Sequence, residues 1–269
     1  LTSSGLTPGV SADMQRFKKP ASPHDDAPQA WEHLNNFLEN YLHHAWALVI
    51  ALTLLGLYLR LPDALRLSIW QTLSGEKYAA QRYLAGMLFF FSLLSLSLLW
   101  SGGQRLDAWL FDYINWRGSR PPWLDGLMWV ITQTGNGFLA LLGALYFWFM
   151  GDKVLAGRMA FGSLTLWLVV ELVKALIHRP RPFTRQGQAR VVGMRALGRS
   201  FPSGHTSQAF FQTALLVRYF SLDLWASGLL LTLALLVGVT RMYVGAHYPR
   251  DVLAGMILGS VFGFIAAVV

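Results

Sequence analysis

Three short runs in this chain carry residue types able to hold and transfer a multiply charged anion. The middle one is Phe201-Pro202-Ser203-Gly204-His205-Thr206-Ser207. Ser203 suits a helix N-cap, where its hydroxyl accepts from the first free backbone N–H groups. Gly204 leaves room for another group to approach the backbone. Unpaired N–H groups at a helix start attract anions, and His205 would stand on the first turn beside one. Upstream, Lys174 is followed by His178-Arg179-Pro180-Arg181-Pro182. Downstream, Thr240-Arg241 is followed by His247 and then Asp251.

A phosphate monoester carries close to two negative charges near neutral pH. Its transfer is eased by fixed cations and N–H donors around the phosphoryl oxygens. Lys174, Arg181 and Arg241 supply cations, and a guanidinium can grip two oxygens at once. The Ser203 hydroxyl and the amides near Gly204 add neutral donors. Arg179 is a further candidate, offset from the others. His247 and Asp251 form a second unit: a carboxylate on one imidazole nitrogen fixes the tautomer and leaves the other nitrogen free to attack.

Read as KxxxxxxRP, PSGH and (S/T)RxxxxxHxxxD, in that order, the three runs resemble the signature motifs of the type 2 phosphatidic acid phosphatase superfamily. That superfamily includes membrane lipid phosphate phosphatases and soluble vanadium haloperoxidases. The resemblance covers Lys174 to Asp251, and Thr240 stands where Ser is usual, which keeps the hydroxyl. It implies His247 as the nucleophile that forms a phosphohistidine, His205 as the acid for the leaving oxygen and Asp251 as the residue orienting His247. Lys174, Arg181, Ser203, Gly204 and Arg241 would bind phosphate. It implies no metal and no other cofactor.

Composition sets the environment. The 269 residues are 54% hydrophobic and only 13% charged, with a mean hydropathy of +0.40; soluble domains carry about a quarter charged residues. This predicts an all-α, polytopic membrane helical bundle. The net charge of +8 fits membrane-flanking Lys and Arg together with an anionic substrate. No basic stripe on a soluble domain argues for nucleic acid. Cys is absent, which excludes disulfides and thiolate metal sites and is compatible with an oxidising compartment.

Residues 1–30 read as a mobile polar tail, opening without Met and without a signal-peptide layout. Residues 31–82 hold an N-terminal helix and a connector, and 83–269 the phosphatase core. A span needs about 20 apolar residues. Tyr41–Leu59, Arg82–Trp100, Gly126–Met150, Gly157–Ile177, Ser203–Phe220, Leu224–Met242 and Val252–Val269 qualify. The resemblance implies a six-helix core, so Tyr41–Leu59 would be an added N-terminal helix. His33, His43 and His44 near its start read as interfacial, since no carboxylate cluster accompanies them. Gln104–Asp125, rich in Trp and Tyr, reads as an interfacial helix and turn, either flooring a lipid entrance or acting as an aromatic anchor. Glu171 shares a helix face with Lys174 and is expected to pair with a cation or a polar neighbour. In the loop Phe183–Ser200, Arg190 and Arg195 are expected to be solvated. Specificity should lie in this loop and in Gln104–Asp125.

These elements put one helix end, the next helix start and a later hairpin on one side of the bilayer. The function expected is hydrolysis of a lipid phosphate or diphosphate, such as phosphatidylglycerol phosphate, phosphatidic acid, undecaprenyl diphosphate or lipid A phosphate. The alternatives are a lipid phosphotransferase using the same phosphohistidine, a non-catalytic lipid-binding or transport protein and, more remotely, a haloperoxidase. The resemblance places the protein in a bacterial inner membrane with the catalytic face towards the periplasm or outside.

Overall fold

The computed structural model describes residues 78–115, 120–185 and 189–268, with residue 45 and most of 48–67. The expected tail, His33, His43, His44 and the start of Tyr41–Leu59 lie outside the described residues. Among those described, the chain is all helical. A short apolar helix covers Leu48–Arg60. There follow α1 (Tyr78–Ser97), α2 (Ser101–Asn115), α3 (Pro122–Gln133), α4 (Gly137–Phe149), α5 (Lys153–Leu176), α6 (Pro182–Arg185), α7 (Gly204–Tyr219), α8 (Leu224–Tyr243) and α9 (Pro249–Val268).

The helix starts follow local chemistry. Asn136, Asp152 and Asp223 cap α4, α5 and α8 by accepting from Phe138 N, Leu155 N and Ala226 N at 3.1, 3.0 and 2.8 Å. Pro122 opens α3 at a position where a missing N–H costs nothing. By length and apolarity α5, α8 and α9 can each cross a bilayer. Phe89 and Phe90 on α1 are 60% and 61% exposed, and Trp225 on α8 is 87% exposed. Bare apolar surface on this scale suits lipid rather than water, and the chain is an integral membrane protein.

Two expected spans take a different form. Gly126–Met150 is broken into α3 and α4, bent by 56°. The break is set by Asn136, which starts a new helix, and by Gly135, whose missing Cβ would lie 2.5 Å from the His205 carbonyl. Ser203–Phe220 becomes a 16-residue helix, α7, shorter than a full crossing because it begins at a buried cap. In addition, α2 leaves the end of α1 at 95°.

The core is organised on α7, against which α4, α5, α8 and α9 all pack. Phe211 and Leu215 of α7 are fully buried among Leu155, Leu166, Val170 and Leu258. The closest approach is to α9. A Cβ on Gly255, Gly259 or Gly263 would fall 2.6, 2.2 or 2.5 Å from the carbonyl oxygens of Ser203, Ser207 and Phe211. Small residues at this spacing let two membrane helices meet backbone to backbone. The register is locked where Ser203 N donates to Asp251 O at 2.9 Å, which places two of the motifs side by side. Gly259→Leu is therefore expected to force α7 from α9 at a cost of about 1–3 kcal/mol or more, read as a lower thermal midpoint in detergent. Gly228→Leu on α8, where a Cβ meets nothing within 4 Å, should leave the midpoint unchanged.

Candidate active site

Lys174 stands on the last turn of α5 and donates to Glu171 Oε1 at 2.7 Å, so the expected cationic partner of Glu171 is Lys174 itself. Its Nζ lies 3.9 Å from where a Gly204 Cβ would be, over the start of α7. Arg181 is buried just past α5. Its guanidinium donates to Gly198 O, Ala246 O and Leu197 O at 3.0, 3.0 and 2.7 Å, and its NH1 faces His247 Nε2 at 3.2 Å. Arg241, from the last turn of α8, donates to Thr132 Oγ1 of α3 at 2.8 Å. Its Nε is buried without a hydrogen-bond partner among the described residues.

His247 lies in the short turn between α8 and α9, entered through Gly245 at φ +82°. That left-handed conformation favours glycine, and a Cβ there would meet the Arg190 carbonyl at 2.3 Å. His247 Nδ1 sits 2.7 Å from Ser200 O. A carbonyl only accepts, so Nδ1 carries the proton and Nε2 presents its lone pair towards Arg181. Burial pushes the His247 imidazole down to about 3, with the Asp251 carboxylate opposing the shift and Arg181 and Arg241 adding to it. The ring is neutral at physiological pH.

Asp251 was expected to orient His247 directly. Its carboxylate is 3.7 Å from Nδ1, beyond hydrogen-bond length, and it acts on the Ser200 segment instead. Oδ2 accepts from Ser200 Oγ at 2.5 Å and from Tyr248 N at 2.8 Å, while Oδ1 accepts from Arg179 NH1 at 2.5 Å. Ser200 N in turn donates to Arg179 O at 2.9 Å. Asp251 thus fixes the strand of loop whose carbonyl holds His247. Arg179, weighed above as a phosphate ligand, is committed to this scaffold: it bridges Asp251 and Asp107 of α2 and lies 4.4 Å over the Tyr248 ring.

Ser203 is fully buried. Its hydroxyl accepts weakly from Thr206 N at 3.4 Å and shares a 2.8 Å hydrogen bond with the Thr206 hydroxyl. It is a cap here, with no free face towards a ligand. His205, on the first turn of α7, lines a cleft of about 430 Å³ with Glu171, Lys174 and Gly204. It lies within electrostatic reach of Arg241, His247, Lys174 and Arg181. The structure therefore gathers both imidazoles and all three motif cations in one place. From this polar end the cleft runs between α4 and α5 past Trp167, Leu164, Phe138 and Leu141. Lys174 to Leu164 spans ten residues of α5, about 15 Å at 1.5 Å per residue.

Several partners were missed from sequence. Asp107, Asn115, Thr132, Ser200 and Arg250 all hold the site; the first four lie outside the motifs and Arg250 fills an unspecified position of the third. Gly103, Asp107, Phe111 and Asn115 form the buried stripe of α2. Asn115 Nδ2 donates to the carbonyls of Arg190, Met242 and Tyr243 at 2.9, 3.2 and 2.9 Å. Arg190, expected to be solvated, instead pairs with Asp125, whose other oxygen accepts from Tyr243 OH at 2.6 Å. Arg195 lies 5.8 Å over the Phe183 ring.

With this geometry in place, similarity to known proteins is informative. The PAP2 superfamily pattern matches residues 154–269. The undecaprenyl-diphosphatase BcrC of Bacillus subtilis is 31% identical over 146 residues, covering 53% of this chain and 72% of its own length. The chain belongs to the PAP2 superfamily. A second relative, the undecaprenyl-diphosphatase of Sulfolobus acidocaldarius, is 26% identical over 184 residues, 67% of this chain and 87% of that one. The crystal structure of a transmembrane PAP2-type phosphatidylglycerolphosphate phosphatase from Bacillus subtilis shares the fold, with a TM-score of 0.55 at 24% identity over 69% of this chain and 94% of its own. As a PAP2 protein, the chain is a phosphatase of the hydrolase class.

Proposed function

We propose that this PAP2 phosphatase hydrolyses a lipid phosphate monoester or diphosphate through a phosphohistidine on His247. The observation that carries the reading is the cleft: an apolar channel between helices whose inner end is built from Lys174, Gly204 and His205. It matches a molecule with a hydrocarbon tail and a phosphoryl head. The names of the relatives, both undecaprenyl-diphosphatases, fit the same substrate class.

In this mechanism Lys174, Arg181, Arg241 and the amides at the start of α7 hold the phosphoryl oxygens, and the Ser203 cap sets those amides. His247 Nε2 attacks phosphorus as the bond to the lipid oxygen breaks, and His205 gives that oxygen its proton. A water then loses a proton to His205 and attacks phosphorus. The P–N bond breaks, Nε2 regains its lone pair and phosphate leaves. The cations take the part that magnesium plays in other phosphoryl transfers. Among the described residues no group of three or more His, Asp or Glu is gathered to hold a metal. We place the catalytic face outside the cytoplasm of a bacterial inner membrane. In that orientation Arg60, Arg66, Lys77 and Arg82 of the opposite connector follow the positive-inside trend.

The test is a phosphate-release panel in detergent with EDTA present, using phosphatidic acid, phosphatidylglycerol phosphate, a polyprenyl diphosphate and lipid A. Release from at least one lipid, unaffected by EDTA, is expected. Activity on soluble phosphate esters alone, or activity abolished by EDTA, would overturn the proposal.

A further inference from the structure

A second cavity, of about 440 Å³, lies outside this cleft. It sits between α2 and α6 and is lined by Ser101, Gln104, Arg105, Ala108, Arg185 and Tyr248. The mechanism above makes no use of it. Its charge balance is distinctive. The nearby carboxylates are taken, Asp107 by Arg179 and Arg250 and Asp251 by Arg179. Among the described residues no carboxylate lines the cavity. The Arg105 guanidinium has no hydrogen bond or ion pair among the described residues. That of Arg185 has, among the described residues, a single long one, 3.5 Å to Gln104 Oε1. The walls offer two guanidinium groups and the hydroxyls of Ser101 and Tyr248 as donors, with the Gln104 carbonyl as the main acceptor. Such a set suits an anion with several acceptor oxygens.

The cavity also touches the catalytic scaffold. Gln104 Oε1 accepts from Arg185 and, at 3.4 Å, from Arg179 NH2, which shares its guanidinium with Asp251 through NH1 at 2.5 Å. Tyr248 forms the wall between them, with Arg179 over its ring and its backbone N–H on Asp251. A charge held in the cavity would bear on the groups that hold His247.

We infer that the α2–α6 cavity is a second phosphoryl-binding site, centred on Arg105 and Arg185 and linked to the catalytic scaffold through Gln104 and Arg179. The inference rests on the lipid-phosphatase reading. Its phosphoryl group has two possible sources, the second phosphate of a diphosphate substrate or the headgroup of a neighbouring anionic phospholipid, and the experiment separates them.

The full chain and its Arg105→Gln/Arg185→Gln variant are assayed in phosphatidylcholine micelles on farnesyl monophosphate and farnesyl diphosphate, each with and without added phosphatidylglycerol. A second-phosphate site lowers kcat/KM about tenfold or more on the diphosphate, at least one charge-assisted hydrogen bond being lost with the two guanidiniums, and leaves the monophosphate unchanged. A lipid site leaves both substrates equal in phosphatidylcholine and removes stimulation by phosphatidylglycerol. No change in any arm, or the same loss in all four, overturns the inference. Binding is read separately in a His247→Gln background, where farnesyl diphosphate or phosphatidylglycerol should raise the thermal midpoint less once both arginines are replaced. If the parent chain releases no phosphate yet this arginine-dependent shift persists, the phosphatase reading fails and the anion site stands. If the shift is independent of the arginines, the site fails.

Discussion

His247→Gln is expected to lower phosphate release about 10⁴-fold or more, the largest effect of any single substitution in this chain. The reason is geometric. The Ser200 carbonyl, 2.7 Å from Nδ1, fixes the proton on that nitrogen, and burial keeps the imidazole neutral by pushing its pKa down to about 3. Nε2 is therefore an available lone pair near neutral pH, and Arg181 NH1 at 3.2 Å waits where a transferred phosphoryl would need a cation. Glutamine can fill the space and accept from Arg181, but it cannot carry a phosphoryl group. Rapid quench with ³²P-labelled lipid should trap an acid-labile protein label on the parent and none on the variant. A variant that keeps more than about 1% of parental turnover, or that still takes up label, would rule out His247 as the attacking group. Vanadate, which mimics phosphate in flight, should compete with substrate on the parent.

The parts of this site that were legible in sequence are those whose chemistry is local. Ser203 reads as a cap from its neighbours alone, and it caps. Lys174, Arg181, Arg241, His205 and His247 sit in compact runs at helix ends, and helix ends on one membrane face have few places to go but together. The supporting residues were hidden because their partners are remote. Asp107 meets Arg250, and the two are 143 positions apart; Asn115 reaches Tyr243 across 128. Both lie in an aromatic-rich stretch that looks interfacial, where an acid or amide normally faces water. One signal was available: Gly103, Asp107, Phe111 and Asn115 recur every fourth residue. A stripe holding a carboxylate, an aromatic ring and an amide on one helix face is the pattern of a face that docks onto polar partners. The break between α3 and α4 was illegible for a different reason. Thr134-Gly135-Asn136 is too short to interrupt an apolar average, and the close approach of the His205 carbonyl to Gly135, which accompanies the Asn136 cap at the break, comes from another helix.

The second large effect is expected from Asp107→Asn, a change far from any motif and confined to one oxygen. Asp107 accepts from Arg250 N and Nε at 3.1 and 2.7 Å and from Arg179 NH2. It is buried, as are both arginines. Removing its charge leaves Arg179 with Asp251 as its carboxylate partner and leaves Arg250 with no carboxylate partner among the described residues, and an unpaired buried charge costs about 3–5 kcal/mol. Both guanidiniums bond the same Asp107 oxygen, and the disturbance that reaches the site passes through Arg179, which holds Asp251 at 2.5 Å. Asp251 in turn holds Ser200, and Ser200 O holds the imidazole. A shift of that carbonyl by a fraction of an ångström swings Nε2 off the line of attack, and misplacements of about 1 Å cost on the order of 10²-fold. Substrate still meets Lys174, Arg181 and Arg241 unchanged. The expected signature is a kcat lowered by about 10- to 100-fold with KM within about twofold, measured on protein shown to be folded by its thermal transition. Arg179→Gln should give a similar loss, and the double variant little more than either alone, because both cut the same chain of contacts. Additive losses would mean that α2 steadies the protein without reaching His247. A fall in yield or thermal midpoint with kcat intact would mean the same, and either result would separate the support of the fold from the aiming of the nucleophile.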